Sequence, residues 1–229
     1  MTSDELVCAR RVSVVVLHRA PIVTIRGILF DADEVIQYPD PDRVAQLARV
    51  LGFVPEPIAE FIAQLHAVED TTLTGALDFL QVLPPALARW GVAERAVEVR
   101  DWLTLVTVDR DMLGLVSRLR ELGYQCLLAT NQQQHRARFM EKELGYGELF
   151  ERCFFSCHMG LAKPDPHYFQ AILSAVNLAP EQALFVDDKP QNVDGARTVG
   201  IHAVCFANSR DGRAHLALAE ILRRFGISC

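Results

Sequence analysis

Polar residues that directly follow short apolar runs are the ones in this sequence that could do chemistry. They are Asp31 and Asp33 after residues 25–30, Thr130 and Asn131 after 125–129, Asp187 and Asp188 after 183–186, and Lys163 after a weaker run at 153–156. Carboxylates brought together raise each other's pKa unless a cation neutralises them. The set therefore predicts a site for a hard divalent cation, and Mg²⁺ fits best because it takes few carboxylates and keeps positions for water and phosphate oxygens. Lys163, one of only three lysines, would keep Asp31 ionised and meet an anionic substrate.

The apolar runs have the length of buried strands, and helical patterns separate them. A further strand is predicted at residues 201–206, and helices are predicted at 112–122, 166–177, 192–199 and 214–225. This alternation predicts an α/β protein with a mostly parallel sheet in a three-layer, Rossmann-like core. Ligands of open α/β sheets bind beyond the carboxyl ends of the strands, so the polar residues above should converge there.

Residues 37–107 break the alternation. The segment has helical periodicity without a convincing strand, and its predicted breaks lie at residues 52–55, 71–75, 84–85 and 91. It carries ten acidic residues and five arginines, which accounts for −5 of the chain's net charge of −6. We interpret it as a small, acidic, all-helical insert after the first strand.

Composition narrows the class of protein. With 229 residues, 50% of them apolar and 23% charged, the chain suits one large globular domain or a core with an insert. The negative net charge argues against a nucleic-acid partner, and no apolar stretch is long enough to predict a membrane span. Six scattered cysteines are typical of reduced thiols in a cytoplasmic protein. Residues 12–17 are interpreted as a strand or a loose extension rather than a signal peptide.

Four segments resemble, in order, the four motifs of the haloacid dehalogenase-like (HAD) hydrolases. Residues 28–35, Ile-Leu-Phe-Asp-Ala-Asp-Glu-Val, resemble the first motif, and Leu128-Ala129-Thr130-Asn131 the second. The third is matched by residues 160–164 and the acidic fourth by Phe185-Val186-Asp187-Asp188, with residues 192–196 and 200–201 continuing it. The resemblance covers about residues 25–206.

Motif spacing identifies the subgroup. Asp31 and Thr130 are 99 positions apart (130 − 31), whereas Thr130 and Lys163 are only 33 apart (163 − 130). A cap domain fits only the first interval, so the resemblance implies a helical cap at 37–107, a core at 25–36 and 108–229, and an extension of unknown role at 1–24. The subgroup includes sugar-phosphate phosphatases and the phosphatase-like domains of epoxide hydrolases.

The resemblance also implies a role for each site residue. Asp31 would be the nucleophile, Asp33 the acid and then the base, and Lys163 would offset negative charge. Thr130 and the Asn131 amide would bind phosphoryl oxygens. Magnesium would be held by the Asp31 carboxylate, the Asp33 main-chain carbonyl and Asp188, with Asp187 as a supporting ligand.

Asp33 favours phosphate ester cleavage over the carbon–halogen cleavage of 2-haloacid dehalogenases. An alkoxide leaving group needs a proton, whereas a departing halide needs none, and the dehalogenase branch lacks an aspartate here. The sequence thus indicates a magnesium-dependent phosphatase of small phosphorylated metabolites such as sugar phosphates. It would act through an aspartyl-phosphate, as a monomer or homodimer. A phosphomutase and a non-catalytic, regulatory protein of the same fold remain open alternatives.

Several residues depart from the pattern or were given a structural interpretation. Glu34 stands where the family usually has glycine, and it adds a negative charge near an anionic substrate; we interpret its side chain as pointing away. Seven other side chains are interpreted as surface or packing residues rather than substrate contacts: Arg43, His66, Trp90 and Trp102 in the insert, and His135, Arg136 and Arg138 after the second motif.

Overall fold

The computed structural model describes residues 24–52, 54 and 56–228, and this part of the chain contains seven strands. They are β1 (Gly27–Phe30), β2 (Gln37–Pro39), β3 (Val106–Val108), β4 (Gln125–Thr130), β5 (Arg152–Phe155), β6 (Ala183–Asp187) and β7 (His202–Cys205). Five of them form a parallel sheet in the order β5-β4-β1-β6-β7. The predicted strands of the core are therefore all present.

Eleven α-helices occur in the described residues. Four lie between β2 and β3: α1 (Arg43–Leu51), α2 (Ile58–Asp70), α3 (Phe79–Ala88) and α4 (Ala96–Trp102). The others are α5 (Arg110–Glu121), α6 (Gln134–Lys142), α7 (Tyr146–Leu149), α8 (Ser156–Met159), α9 (Pro166–Val176), α10 (Pro190–Thr198) and α11 (Ala214–Arg224).

The sheet has a helical layer on each face. Successive residues of a strand point to opposite faces, so Ile28 and Phe30 of β1 pack in one apolar cluster with α5 and α11, while Leu29 packs in a second with α9. All four residues of β1 are buried, as expected for a central parallel strand covered on both sides. The α/β, three-layer, Rossmann-like fold predicted from the sequence is confirmed.

Strand order and register define where a ligand can bind. The chain runs from β1 to β4 and β5 on one side of the sheet, and then to β6 and β7 on the other. Phe30 lies level with Leu128 of β4 and with Val186 of β6. The residues after these three strands therefore meet at one edge, at the point where the strand order reverses.

The helices α1 to α4 have their own apolar core. It includes Leu47, Phe61, Leu83 and Trp102, each almost completely buried. This supports a helical cap, and its boundaries at residues 37 and 107 stay a prediction.

Two expectations about the insert are wrong. The segment 37–107 holds strand β2 and nearly all of β3, which pair with each other antiparallel, Gln37 opposite Val108. Three residues are too few to show the period of a strand. The break predicted at Pro84 and Pro85 is also absent, since both lie inside α3. That helix buries Phe79, Leu83 and Leu87 along one face, and this packing offsets the backbone hydrogen bonds that two prolines remove.

The predicted extension at residues 12–17 lies outside the described residues. Within the described part of the chain, no helix combines the length and apolar character needed to cross a membrane.

Candidate active site

Asp31 and Lys163 form a buried ion pair at the carboxyl end of β1. The Lys163 ammonium lies 2.9 Å from Oδ1 of Asp31 and donates a hydrogen bond of 2.6 Å to Oδ2 of Asp187. Burial disfavours a charged lysine, but the two carboxylates outweigh it and raise the pKa of Lys163 above its ordinary value. Lys163 is therefore a fixed positive charge shared by two carboxylates.

Asn131 positions Lys163. Its side-chain carbonyl accepts a hydrogen bond of 2.9 Å from the Lys163 main-chain N–H, and its amide donates one of 2.8 Å to the Lys163 main-chain carbonyl. The Asn131 side chain thus ties the loop after α8 to the end of β4. The hydrogen bond to the Lys163 carbonyl occupies one of the two N–H groups of the Asn131 side-chain amide.

Three carboxylates lie close enough to hold one metal ion. Oxygens of Asp31, Asp187 and Asp188 all lie within 4.8 Å of one another. Burial raises the pKa of Asp31 to about 7, with the charges of Asp187 and Asp33 adding to the effect and Lys163 opposing it. Burial and the Asp187 charge also raise the pKa of Asp188. Crowded carboxylates that resist ionisation are a donor set that a hard cation fits.

Asp187 accepts more hydrogen bonds than the other two carboxylates of this set. Its oxygens accept hydrogen bonds from Lys163, from the Lys189 main-chain N–H at 2.8 Å and from the Asn192 amide at 3.0 and 3.1 Å. Asp31 accepts from the Ala32 N–H in addition to facing Lys163, and Asp188 is only half-buried. Asp31 and Asp188 are thus better placed than Asp187 to give an oxygen directly to a cation.

Asp33 is held by four hydrogen bonds. Oδ1 accepts from the Gln37 amide and from Arg136 Nη2, both at 2.8 Å. Oδ2 accepts from the Gln132 amide at 2.7 Å and from Arg136 Nη1 at 3.1 Å. Burial acts to raise the pKa of Asp33, but the Arg136 guanidinium and the side-chain hydrogen bonds outweigh it and lower the pKa to about 2. In this arrangement Asp33 is an ionised carboxylate.

The surface interpretation of Arg136 is therefore wrong. Its side chain is only 11% exposed and bridges Asp33 to the insert, with Nη1 3.9 Å from Oε1 of Glu69. The sequence places Arg136 in the first turn of a helix after the second motif, but it does not show which side of that helix faces the sheet edge. Neighbouring His135 contacts the insert at Asp101, 3.1 Å away.

Glu34 adopts the left-handed conformation that glycine would allow, with φ 62°. Its main-chain carbonyl accepts a hydrogen bond from the Asn208 N–H, and its carboxylate forms an ion pair with Arg210. Glu34 is among the residues that line the cavity, and Arg210 neutralises its carboxylate. Thr130 is buried at the end of β4, where its hydroxyl accepts a hydrogen bond of 3.2 Å from the Gln132 amide.

A cavity of about 580 Å³ lies between the insert and these residues. The insert contributes Arg43, His66, Glu69 and Leu73 to its wall. Arg43 and His66 are interpreted from the sequence as packing or surface residues, but both line the cavity. Trp102 is buried in the core of the insert, as interpreted.

The insert also rests directly on the sheet domain. Gly75, between α2 and α3, has φ 74°, and a Cβ atom there would lie 2.2 Å from the Cys157 carbonyl oxygen. Only a glycine allows this approach without displacing the backbone. The arrangement is a partly enclosed cavity above the Asp31 carboxylate, the fixed Lys163 ammonium and a group of carboxylates that could hold a cation.

Comparison with known proteins shows similarity in sequence. The family model of the haloacid dehalogenase-like hydrolases matches residues 25–200. The phosphoserine phosphatase of Thermus thermophilus is 36% identical over 40% of this chain and 37% of its own length. The phosphoglycolate phosphatase of Pseudomonas putida is 25% identical over 78% of this chain and 68% of its own. Four curated relatives are 31% to 40% identical to this chain where they match. The chain spans only 11% to 37% of the length of each of these relatives.

A solved structure shares the fold along most of the chain. The HAD family enzyme bt-2542 of Bacteroides thetaiotaomicron superposes with a TM-score of 0.68 at 20% identity, covering 85% of this chain and 98% of that enzyme. Another structure of that enzyme is a complex with magnesium and inorganic phosphate. The family match spans well over half of this chain, and the chain belongs to the haloacid dehalogenase-like hydrolases.

Proposed function

We propose that this hydrolase is a magnesium-dependent phosphatase of small phosphomonoesters. One observation carries the proposal: Asp31 lies in hydrogen-bonding distance of a fully buried Lys163, at the edge of a cavity that Asp33 and Asp188 also line. Curated relatives that are phosphatases of small molecules, and a structural neighbour solved with magnesium and phosphate, support it.

In the first step, an oxygen of Asp31 forms a bond to phosphorus while the bond from phosphorus to the leaving oxygen breaks. Asp33 is ionised in this structure, so it must first take up a proton from solvent, and the leaving oxygen then takes that proton. In the second step, Asp33 removes a proton from a water molecule, which attacks phosphorus and releases phosphate from Asp31. Lys163 offsets negative charge on Asp31 and on the transferring group, and Thr130 and the main-chain N–H of Asn131 bind its oxygens. Magnesium held by Asp31, Asp188 and the Asp33 main-chain carbonyl, with Asp187 in support, would supply further positive charge.

Phosphate release from a panel of small phosphomonoesters tests the function. We expect turnover with magnesium, loss of turnover with a chelator, and none from the Asp31→Asn variant used as the blank. Magnesium that stabilises the protein without turnover of any ester would favour the non-catalytic, regulatory alternative.

The helical insert would be the cap, which excludes water and contacts the leaving group. A small monoester such as a sugar phosphate suits the acidic character of this segment. The cytoplasm is the proposed compartment, because the cysteines of the described residues are free thiols, which a reducing environment maintains.

Magnesium should raise the melting temperature more at about pH 8 than at about pH 5.5. The pKa of Asp31 is raised from its ordinary value to about 7, so the metal-free folded protein retains a proton there that the unfolded chain releases near pH 4. Stability from this group is thus present at low pH and is lost as the pH rises through about 7. A bound cation replaces that proton and restores stability at high pH. Equal stabilisation at both pH values would contradict this account, and Asp31→Asn should show a much smaller pH effect.

Arg210→Met should raise KM for an anionic substrate by about fivefold while leaving kcat nearly unchanged. Arg210 neutralises Glu34 on the cavity wall, and one partly exposed charge contributes about 1 kcal/mol. The double variant Arg210→Met with Glu34→Gln removes both charges and should return KM to the wild-type value. A KM that stays high in the double variant would show that Arg210 acts in another way. Steady-state kinetics on the best ester of the panel provides the measurement.

A further inference from the structure

The hydrogen bonds to Asp33 leave its carboxylate no free position for its proposed role as acid and base. Each of its carboxylate oxygens already accepts two hydrogen bonds, from Gln37 and Arg136 at Oδ1 and from Gln132 and Arg136 at Oδ2. A carboxylate oxygen that exchanges a proton with a leaving group or with water needs a free lone pair directed into the cavity. One of the four donors must therefore move during the reaction.

Arg136 Nη1 donates the longest of the four hydrogen bonds to Asp33. Its hydrogen bond to Oδ2 is 3.1 Å long, whereas the other three are 2.7 to 2.8 Å. The two amides are fixed more firmly at their other contacts: Gln37 accepts a hydrogen bond from the Tyr146 hydroxyl, and the Gln132 amide also donates to Thr130.

Glu69 of the insert offers Nη1 a second acceptor. Its Oε1 lies 3.9 Å from Arg136 Nη1, is buried, and has no hydrogen-bond partner among the described residues. A buried carboxylate oxygen without a partner is costly, so a contact that satisfies it is favoured. A movement of Nη1 by about 1 Å would exchange the bond to Asp33 for one to Glu69, and such displacements are ordinary for a side chain.

Glu69 belongs to the insert, so any movement of α2 would carry its side chain along. It is the second-to-last residue of α2, and its main-chain carbonyl accepts hydrogen bonds from the hydroxyl and the N–H of Thr72 in the following turn. Its side chain and that of Arg136 are only 10% and 11% exposed, so water screens their attraction little. A small approach of α2 to the sheet would shorten the Glu69–Arg136 distance.

We infer that Glu69 is a positioning residue for Asp33, drawing Arg136 Nη1 away from Oδ2 so that this oxygen can exchange a proton with the leaving group. The inference deepens the proposed phosphatase function and rests on it. Once Nη1 has left Oδ2, that oxygen takes up a proton from solvent. When the bond from phosphorus to the leaving oxygen breaks, this proton passes to the leaving oxygen, and Asp33 is left as a carboxylate. Arg136 remains bound to Oδ1 through Nη2 throughout.

Two esters with different leaving groups test the inference. An alkyl phosphate needs a proton on its leaving oxygen, whereas p-nitrophenyl phosphate releases a stable phenolate without one. The value of kcat/KM reports the steps up to phosphorylation of Asp31, before Asp33 acts as a base. In Glu69→Gln, kcat/KM should fall about tenfold for the alkyl ester and stay within about twofold for the aryl ester, since an amide oxygen attracts a guanidinium less than a carboxylate does.

Asp70→Asn is the matched control. It removes one negative charge from the next residue of the same helix, which also lines the cavity, and should change both esters by the same factor. Asp33→Asn gives the scale for complete loss of the acid. Should Glu69→Gln fail to fold, Glu69→Met, of similar length, replaces it with the same expectation and a larger loss for the alkyl ester.

Two results would overturn the inference while leaving the function intact. One is an equal change for both esters in Glu69→Gln. The other is no change for either ester in Glu69→Gln, while Asp33→Asn still lowers kcat/KM more for the alkyl ester than for the aryl ester. Wild-type protein that hydrolyses neither ester would instead contradict the proposed function, and this inference would fall with it.

Discussion

Asp31→Asn should hydrolyse phosphomonoesters at no more than about 10⁻⁴ of the wild-type rate, because the variant lacks the proposed nucleophile. An amide oxygen does not form the acyl-phosphate on which the second step depends. The loss should appear in kcat for aryl and alkyl esters alike, since the nucleophile serves every leaving group. Residual activity above one hundredth of the wild type would show that another group attacks phosphorus.

The same variant should remain folded. Burial already raises the pKa of Asp31 to about 7, so a neutral side chain costs little at this position, and Asp187 continues to bind Lys163. We expect a melting temperature within a few degrees of that of the metal-free wild type. Thermal unfolding with and without magnesium therefore separates loss of chemistry from loss of structure.

Lys163→Met should damage both stability and activity. The ammonium is completely buried between Asp31 and Asp187, and its removal leaves two carboxylates without their cation. Breaking a buried ion pair in this way costs about 3–5 kcal/mol, less whatever the carboxylates recover by taking up protons. Turnover should fall on the order of 10²- to 10³-fold, the usual cost of losing one group that stabilises the charge of a transition state.

A second substitution separates the two effects. Lys163→Met with Asp187→Asn removes one of the stranded carboxylates, so part of the stability should return while turnover stays low. Denaturant unfolding and steady-state kinetics on the single and double variants provide the measurements. Lys163→Met with wild-type stability and wild-type turnover would contradict the central place of this ion pair.

The fold could be predicted because its signals are local. The run at residues 25–30 ends abruptly at Asp31, and β1 is buried along its whole length. Once strands and helices alternate, the parallel sheet follows, and the carboxyl ends of β1, β4 and β6 must meet. For this reason the structure brings Asp31, Asp187 and Asp188 together, and Asn131 after β4 holds the main chain of Lys163 beside them.

Contacts that depend on a helix's rotation could not be predicted. Arg136 lies in a polar helix whose sequence does not distinguish the side facing solvent from the side facing Asp33. A difference of one position would turn the side chain by about 100° around the axis of the helix. Arg43, His66 and Glu69 are similar cases, because only the packing of the insert on the sheet brings them to the cavity.

Glu34 shows a further limit. The sequence indicates that a turn glycine is replaced, but not that residue 34 keeps φ 62° or that a residue 176 positions later neutralises its charge. Long-range partners such as Arg210 leave no periodic signal in the sequence.

Trapping the phosphorylated enzyme tests the central claim most directly. Wild-type protein, mixed with magnesium and the best ester of the panel, is quenched in acid within one turnover, and its peptides are analysed by mass spectrometry. We expect one added phosphoryl group on the peptide that contains Asp31, located on that side chain, and no label in Asp31→Asn. Rapid phosphate release with no labelled peptide, or with the label on another residue, would contradict Asp31 as the nucleophile.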